Sequence, residues 1–314
     1  MLGLSKMGMM GGAPYIAPGV TFTGYAHGMA STPMCIGYGL DKWWVGCLGG
    51  QLYSSPSGKA GSWTLVTTFS SFVPGKIEYA AGRLIIIATD QVKWSIDGST
   101  FNSYAYTAIG SSQGISACYA GGYFLVAFGD ASAGKYLWTA DFTTWTVTTN
   151  TNPSHIAGFV WDGSNFLAAS VTNQALRAFT DPAPTTAWPT QGVAPGINRF
   201  NTVVMTGARI LGLGYIVGTS QAQQAYTDDG GATWTTGTTP GPSGTDSWVD
   251  GYSAGGLVFA IMNPTGSNGW LYKSTDGGAT ISLLFSVTAE VFRDVAYGDG
   301  RFTVVSSTKI YIDR

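Results

Sequence analysis

Charge is scarce in this 314-residue chain: 15 Lys and Arg face 17 Asp and Glu, together 10% of the residues, for a formal net charge of −2. So few basic residues make no broad field for phosphate backbones, so nucleic acid is not expected as a partner. The 3 cysteines are too few and odd in number for a disulfide framework. The 2 histidines, His27 and His155, stand without a Cys, His or carboxylate at ligand spacing, and no metal is expected. The Gly-rich segments 46–50 and 110–114 are not followed by Lys-Ser/Thr and a helix, which removes a phosphate loop and leaves no cofactor implied. Apolar runs are strand length, far short of the roughly 20 residues a membrane helix needs, so no membrane insertion is expected. Residues 1–12 lack a continuous apolar core behind positive charge, which argues against a secretory leader. Helical periodicity is missing as well.

What the chain does have is a repeat. A Gly-containing turn, a short apolar strand, a second strand and a small-polar turn ending in an aromatic recur at Lys42, Gly82, Gly122, Ser164, Ala208, Gly256 and Gly300, 40 to 48 residues apart. Four strands at that spacing form one blade of a β-propeller, because a single small sheet has two faces to bury and must stack on neighbours in a ring. The sequence therefore predicts an all-β, seven-bladed propeller over residues 21–314, preceded by an N-terminal arm, residues 1–20.

The first blade is expected at Met34 to Gly39, Trp43 to Leu48, Gln51 to Ser54 and Ser62 to Thr68, with a three-residue loop Leu40-Asp41-Lys42 that sets Cys35 opposite Cys47. That pair is either a bond or two small buried thiols; the second suits a reducing cytosol. The second blade is expected at Lys76 to Ala80, Arg83 to Thr89, Val92 to Ser95 and Asn102 to Thr107. The third to sixth span 115–149, 156–191, 201–238 and 248–285. The fourth is irregular, because Asp181-Pro182-Ala183-Pro184 holds two prolines that cannot donate to a central ladder. The fifth and sixth carry extra residues, placed at Gly218 to Gln223 and Asn263 to Gly269, on one common face where binding variation accumulates. The seventh has three strands, Phe292 to Tyr297, Arg301 to Ser306 and Lys309 to Asp313. Its exposed edge calls for a cover, and Val20 to Ala26 is the expected fourth strand.

The turn before each outer strand is the most specific local motif. It reads Thr227-Asp228-Asp229-Gly230-Gly231-Ala232-Thr233-Trp234 in the fifth blade and Ser274-Thr275-Asp276-Gly277-Gly278-Ala279-Thr280-Ile281 in the sixth. Eroded copies are 95–101, with Asp97, and 139–145, with Asp141 and Trp145; the first blade, at 54–58, has no Asp. These turns resemble the Asp-box, or bacterial neuraminidase repeat, Ser-x-Asp-x-Gly-x-x-Trp. A short carboxylate accepts amides of its own turn, Gly tolerates positive φ, and the aromatic packs beside a neighbouring strand. Asp97, Asp141, Asp229, Asp276, Gly230, Gly277, Trp145 and Trp234 are therefore expected to be structural.

Asp-box propellers include sialidases, in which three arginines grip a carboxylate, a Tyr–Glu pair supplies the nucleophile and an Asp acts as acid and base. No Arg precedes Arg83 here, so the family's Phe/Tyr-Arg-Ile-Pro motif is missing, and Phe292-Arg293 is followed by Asp294-Val295. The two glutamates, Glu78 and Glu290, are expected at solvated strand ends or loops, and no catalytic residue is assigned.

Low charge, abundant Gly, Ser, Thr and Ala, a Met/Gly arm and degenerate Asp-boxes, with repeats such as 162–167 and 298–305, look like structural proteins of tailed-bacteriophage virions. That resemblance, over 34–314, implies a non-enzymatic tail or tail-fibre-associated subunit, assembled in the host cytoplasm and resident in the virion. Leu2, Leu4, Met7, Met9, Met10, Tyr15 and Ile16 with Gly spacers would bury against other virion proteins. The outward face would meet virion partners or a host-surface glycan or receptor, with Trp188, Trp248 and Trp270 as candidate contacts, although tryptophans more often pack between blades. A lectin-like glycan-binding module is the alternative and a sialidase-like hydrolase the third reading.

Overall fold

The computed structural model describes residues 22–313 except 89, 107–114, 129–133, 150–154, 171–174, 183–187, 195, 198, 217–220, 238–246 and 265–267. The arm, residues 1–20, lies outside the described residues.

The described chain forms seven four-stranded antiparallel sheets. β1 (Phe22–Ala26) stands ahead of the first blade, which is β2–β5 (Pro33–Gly39, Lys42–Cys47, Gln51–Ser55, Thr64–Thr68). The second is β6–β9 (Lys76–Ala80, Arg83–Ile87, Gln91–Ser95, Asn102–Ala105) and the third β10–β13 (Ile115–Ala120, Tyr123–Phe128, Lys135–Thr139, Thr146–Thr149). The fourth is β14–β17 (Ile156–Trp161, Phe166–Ser170, Ala175–Phe179, Thr190–Val193) and the fifth β18–β21 (Arg199–Thr206, Arg209–Ile216, Gln221–Thr227, Thr235–Thr236). The sixth is β22–β25 (Ser247–Ala254, Leu257–Asn263, Gly269–Ser274, Ser282–Val287), and the seventh is β26–β28 (Phe292–Gly298, Arg301–Ser306, Lys309–Asp313) completed by β1.

The expected closure is present. β1 pairs antiparallel with β28, Phe22 opposite Asp313 and Ala26 opposite Lys309, so the outer strand of the last blade comes from the opposite end of the chain. Phe22 is fixed there by the rings of Phe259 and Phe285, at 5.6 and 5.5 Å. The pairing covers an edge that would otherwise present open amides and carbonyls.

The core lies between blades rather than at the axis. Seven buried apolar clusters each join two neighbouring blades: Trp44 and Leu52 meet Ile77, Leu84 and Ile86 across the first interface, and Ile36 and Val45 meet Val305 and Ile310 across the last. Each second strand is packed on both faces, which is why Leu84-Ile85-Ile86-Ile87 and Phe124-Leu125-Val126-Ala127 are unbroken apolar runs with almost no exposed surface.

Three local expectations are corrected. The first hairpin turns on two residues, Leu40 and Asp41, both at positive φ as a type I′ turn requires, and Gly39 pairs with Lys42. The register therefore moves by one and Cys35 faces Gly46; Cys35 and Cys47 are buried free thiols. The extra residues of blades five and six go largely into longer strands, β18, β19 and β22 having 8 residues each and β20 and β23 having 7, so 221–223 and 263 are strand rather than loop. Residues 218–220 and 265–267 of those insertions lie outside the described residues. Glu78 and Glu290 are buried, each 5% exposed: Glu78 sits on an innermost strand, and Glu290 accepts the Ser306 and Tyr311 hydroxyls at 2.7 and 2.8 Å and pairs with Lys309 at 2.7 Å.

Candidate functional site

Because strands alternate in direction, the turns after the first and third strand of every blade share one face of the ring. The Asp-box turns and the mouth of an axial pocket lie on that face, and the chain enters it at Phe22 on the rim.

The turn aspartates are occupied by their own backbone. Asp97 accepts the amides of Ser99 and Thr100, each at 2.8 Å, and Asp141 those of Thr143 and Thr144 at 2.8 and 2.7 Å. Asp229 and Asp276 each accept the amide and the hydroxyl of the Thr four residues on. These bonds favour the ionised form: amides from Thr100 and Ser99, and from Thr144 and Thr143, hold Asp97 and Asp141 far below the usual carboxylate range, and Thr233 holds Asp229 at about 2.

The residue two before each Asp anchors the turn from inside the sheet. Ser95, Thr139, Thr227 and Ser274 are all buried, and each donates to its Asp and accepts an amide of the loop. Blade one keeps this device without the Asp: Ser55 accepts the amides of Ser57 and Gly58 at 3.2 and 2.7 Å. At the same register blade four has Phe179, stacked on Trp188 at 4.0 Å and 7°, and blade seven has Asp313.

Each box also wedges against the blade before it. Gly98, at φ 72°, lies so close to Trp44 that a Cβ there would meet the ring at 2.7 Å, and one on Gly278, at φ 89°, would meet Leu211 at 2.6 Å. Phe142 takes the corresponding place in blade three at φ 60°, with the Arg83 guanidinium 4.8 Å above its ring. Gly230 and Gly277 have positive φ, Trp145 is buried 5.6 Å from Trp94, and Trp234 packs 5.6 Å from Phe200.

Two of the three surface tryptophans are not surface. Trp188 is 4% exposed between Phe179 and Tyr136, and Trp248 is 1% exposed, its Nε1 donating to the Gln223 carbonyl at 3.1 Å. Both belong to apolar clusters that join two blades. Trp270 is half-buried beside Tyr272.

The polar concentration that composition and motif reading missed lies at the axis. Five innermost strands carry a β-bulge that ends at Cys35, Gly158, Thr202, Asp250 or Asp294, and hairpin register puts Lys76 and Ser116 at the equivalent position of the other two. Lys76 reaches across the ring to Asp250 at 2.8 Å and Asp294 at 2.7 Å. Asp294 also accepts the amides of Ile36 and Val295. Burial, reinforced by the neighbouring Asp250 charge, pushes the Asp294 carboxyl up to about 7 against the pull of Lys76. Burial opposes the Lys76 ammonium, but Asp250 and Asp294 together raise its pKa well above the ordinary lysine value.

Beside this cluster opens a pocket of about 320 Å³ lined by Lys76, Glu78, Asp41 and four tyrosines, Tyr38, Tyr79, Tyr252 and Tyr297. Burial first, then the Glu78 charge, raises the Tyr252 hydroxyl, so it is a neutral donor at physiological pH. A signal for the site was present in the sequence: aligned on their turns, the charge-poor inner strands carry Lys76, Asp250 and Asp294 at one repeat position, and Tyr38, Tyr79, Tyr119 and Tyr297 three residues later. Among the described residues no group of three or more metal-ligating side chains is assembled.

No protein-family model matches the chain, and no curated protein matches it either. Solved structures do. A streptogramin B lyase superposes with a TM-score of 0.72 at 12% identity, over 93% of this chain and 97% of that one. The WD40 propeller domain of Doa1 gives 0.64 at 10% identity, over 95% and 96%, and YCF48 bound to D1 peptide gives 0.64 at 14%, over 93% and 96%. At these identities the likeness is one of architecture: the chain is a seven-bladed β-propeller.

Proposed function

We propose that this propeller is a non-enzymatic structural protein of a tailed-bacteriophage virion, a tail or tail-fibre-associated subunit held through residues 1–20 and presenting one ring face to virion partners or the host surface. The observation that carries this reading is the β1–β28 pairing. It completes the ring with the strand that follows the arm in sequence, on the rim of the ring, and the arm's apolar residues, Leu2, Leu4, Met7, Met9, Met10, Tyr15 and Ile16, are the proposed partner contacts. The turn aspartates, filled by their own amides, support a scaffold role over chemistry. The test is particle composition. The chain is expected in gradient-purified virions at a fixed copy number, and deletion of residues 1–20 is expected to leave a folded ring that no longer enters them. Absence of the intact chain from purified virions overturns the proposal.

The glycan-binding alternative loses Trp188 and Trp248, which are buried, and rests on Trp270 and the pocket tyrosines. Saturable binding on a glycan array, lost on Trp270→Ala, would favour it.

A further inference from the structure

Aromatic side chains gather at the inner end of the ring, on the face where the axial pocket opens. Hairpin register puts Tyr38, Tyr79, Tyr119, Trp161 and Tyr297 at one position of five innermost strands, and Tyr38, Tyr79 and Tyr297 line the pocket with Tyr252. The rings lean on the preceding blade where it has glycine: a Cβ on Gly39 would meet the Tyr79 ring at 2.6 Å, one on Gly121 the Trp161 ring at 3.3 Å, and one on Gly298 the Tyr38 ring. Second-strand aromatics back them, Trp43 at 5.1 Å from Tyr38 and Phe302 at 4.8 Å from Tyr297. They are thus held in place yet partly open to solvent, Tyr79 by 36%. A fixed, open aromatic ring is a stacking surface.

The rest of the lining decides what stacks there. Its charges answer one another: Lys76 is paired with Asp250 and Asp294, Glu78 has an interaction of its own and lies in the field of Lys76, Arg301 near Tyr38 is paired with Asp299, and Asp41 stands in water at the rim. Neither an anion nor a cation is called for, and the scarcity of basic residues disfavours a stacked nucleotide. What the pocket offers is hydrogen bonding beside apolar wall. A carboxylate such as Glu78 has about four acceptor sites, phenol hydroxyls donate and accept, and Ile36, Ile77 and Val295 lie between them. A guest with an apolar face and a belt of hydroxyls suits both, which describes a neutral sugar ring: its C–H face packs on an aromatic ring while its hydroxyls reach carboxylate and phenol oxygens. At about 320 Å³ the pocket sits at the small end of ligand sites, which run from about 300 to 1,000 Å³, so it holds one ring rather than a chain.

We infer that the axial pocket binds one unit of a neutral sugar, stacked on Tyr38, Tyr79 or Tyr297 and hydrogen-bonded by Glu78 and the tyrosine hydroxyls. This deepens the glycan-contact reading by naming a site and a sugar class, and rests on that reading only for the source of the sugar.

The experiment is ligand-observed saturation-transfer NMR of the full chain with the methyl glycosides of glucose, galactose, mannose and N-acetylglucosamine, the corresponding free sugars, and the methyl glycoside of N-acetylneuraminic acid as the charged comparison. A guest of one ring is expected to bind with Kd of about 1 mM. At least one neutral sugar is expected to saturate, and the sialoside to bind more weakly. A methyl glycoside that binds as well as its free sugar assigns the source to the end of a glycan, and one that does not assigns it to a free sugar. Tyr79→Ala is expected to weaken the preferred sugar by about tenfold with an unchanged melting temperature, and Tyr79→Phe, which keeps the stack, to stay within about threefold. No neutral sugar saturating by about 20 mM, preference for the sialoside, or wild-type affinity in folded Tyr79→Ala and Tyr38→Ala overturns the inference. Glycan-array binding lost on Trp270→Ala but kept in the tyrosine variants would move the glycan contact away from this pocket and overturn it while leaving the glycan-binding reading standing.

Discussion

The turn aspartates and the axial aspartates are the same residue in opposite surroundings. Asp97, Asp141, Asp229 and Asp276 face solvent, take their partners from within four residues and are driven acidic by them. Asp250 and Asp294 are largely or wholly withdrawn from water, take their partner from 174 and 218 residues away, and Asp294 is driven the other way by burial. The contrast separates two jobs: short-range carboxylates shape the turns that wedge blade against blade, and long-range ones set the charge at the axis. If that division holds, breaking long-range contacts costs more than breaking short-range ones.

The longest-range contact gives the largest expected effect. Deleting residues 1–26 removes β1 and uncovers β28, and the product is expected to aggregate or to lose its cooperative melting transition; a truncated monomer with an unchanged melting temperature removes the closure from the account.

Next is the axial lysine. Lys76→Met leaves two carboxylates withdrawn from water without their cation and is expected to cost about 3–5 kcal/mol in chemical denaturation. Adding Asp294→Asn is expected to restore part of the loss, and equal stability of the single and double variants would deny the coupling.

The pH profiles of the two regions run in opposite senses. Asp294, with its folded pKa above the unfolded one, contributes stability that is complete below about 4 and lost as pH rises through about 7. Lys76, Asp250, Glu78 and Tyr252 are the charged and titratable groups around it. Asp294→Asn is expected to flatten that decline relative to wild type. The turn aspartates, with lowered folded pKa, contribute stability present above about 4 and lost as pH falls towards 2. The smallest effect is that of one box. Asp276→Ala is expected to lower the melting temperature less than Lys76→Met and to reduce the acid loss, and an equal or larger drop would reverse the ranking.

How much of this was legible in the sequence follows the same division. The boxes, the hairpins and the order of seven blades are written within a few residues of one another, and strands such as 76–80, 301–306 and 309–313 occur at their expected bounds. The closing strand was legible because blade seven has three strands of its own and residues 20–26 remained to pair with it. The axial site was legible only by aligning the repeats, because Lys76 meets Asp250 and Asp294 only after the ring closes and a lone Lys on an apolar strand carries no local sign of its partners. Trp188 and Trp248 were ambiguous for a related reason: a tryptophan beside a loop reads alike whether it fills a gap between blades or faces solvent. The Cys35 register failed on one residue, because Leu40 at positive φ shortens a turn that composition alone would not give to leucine.

The division of labour between turn and axis is tested most directly by carboxyl carbon NMR of aspartate-labelled protein, titrated with acid and base and assigned by the Asp294→Asn and Asp276→Ala variants. The account predicts that Asp229 titrates near 2, that Asp97, Asp141 and Asp276 titrate below the ordinary aspartate range, and that Asp294 titrates near 7. Aspartates of both regions titrating together at the ordinary carboxylate value would contradict it.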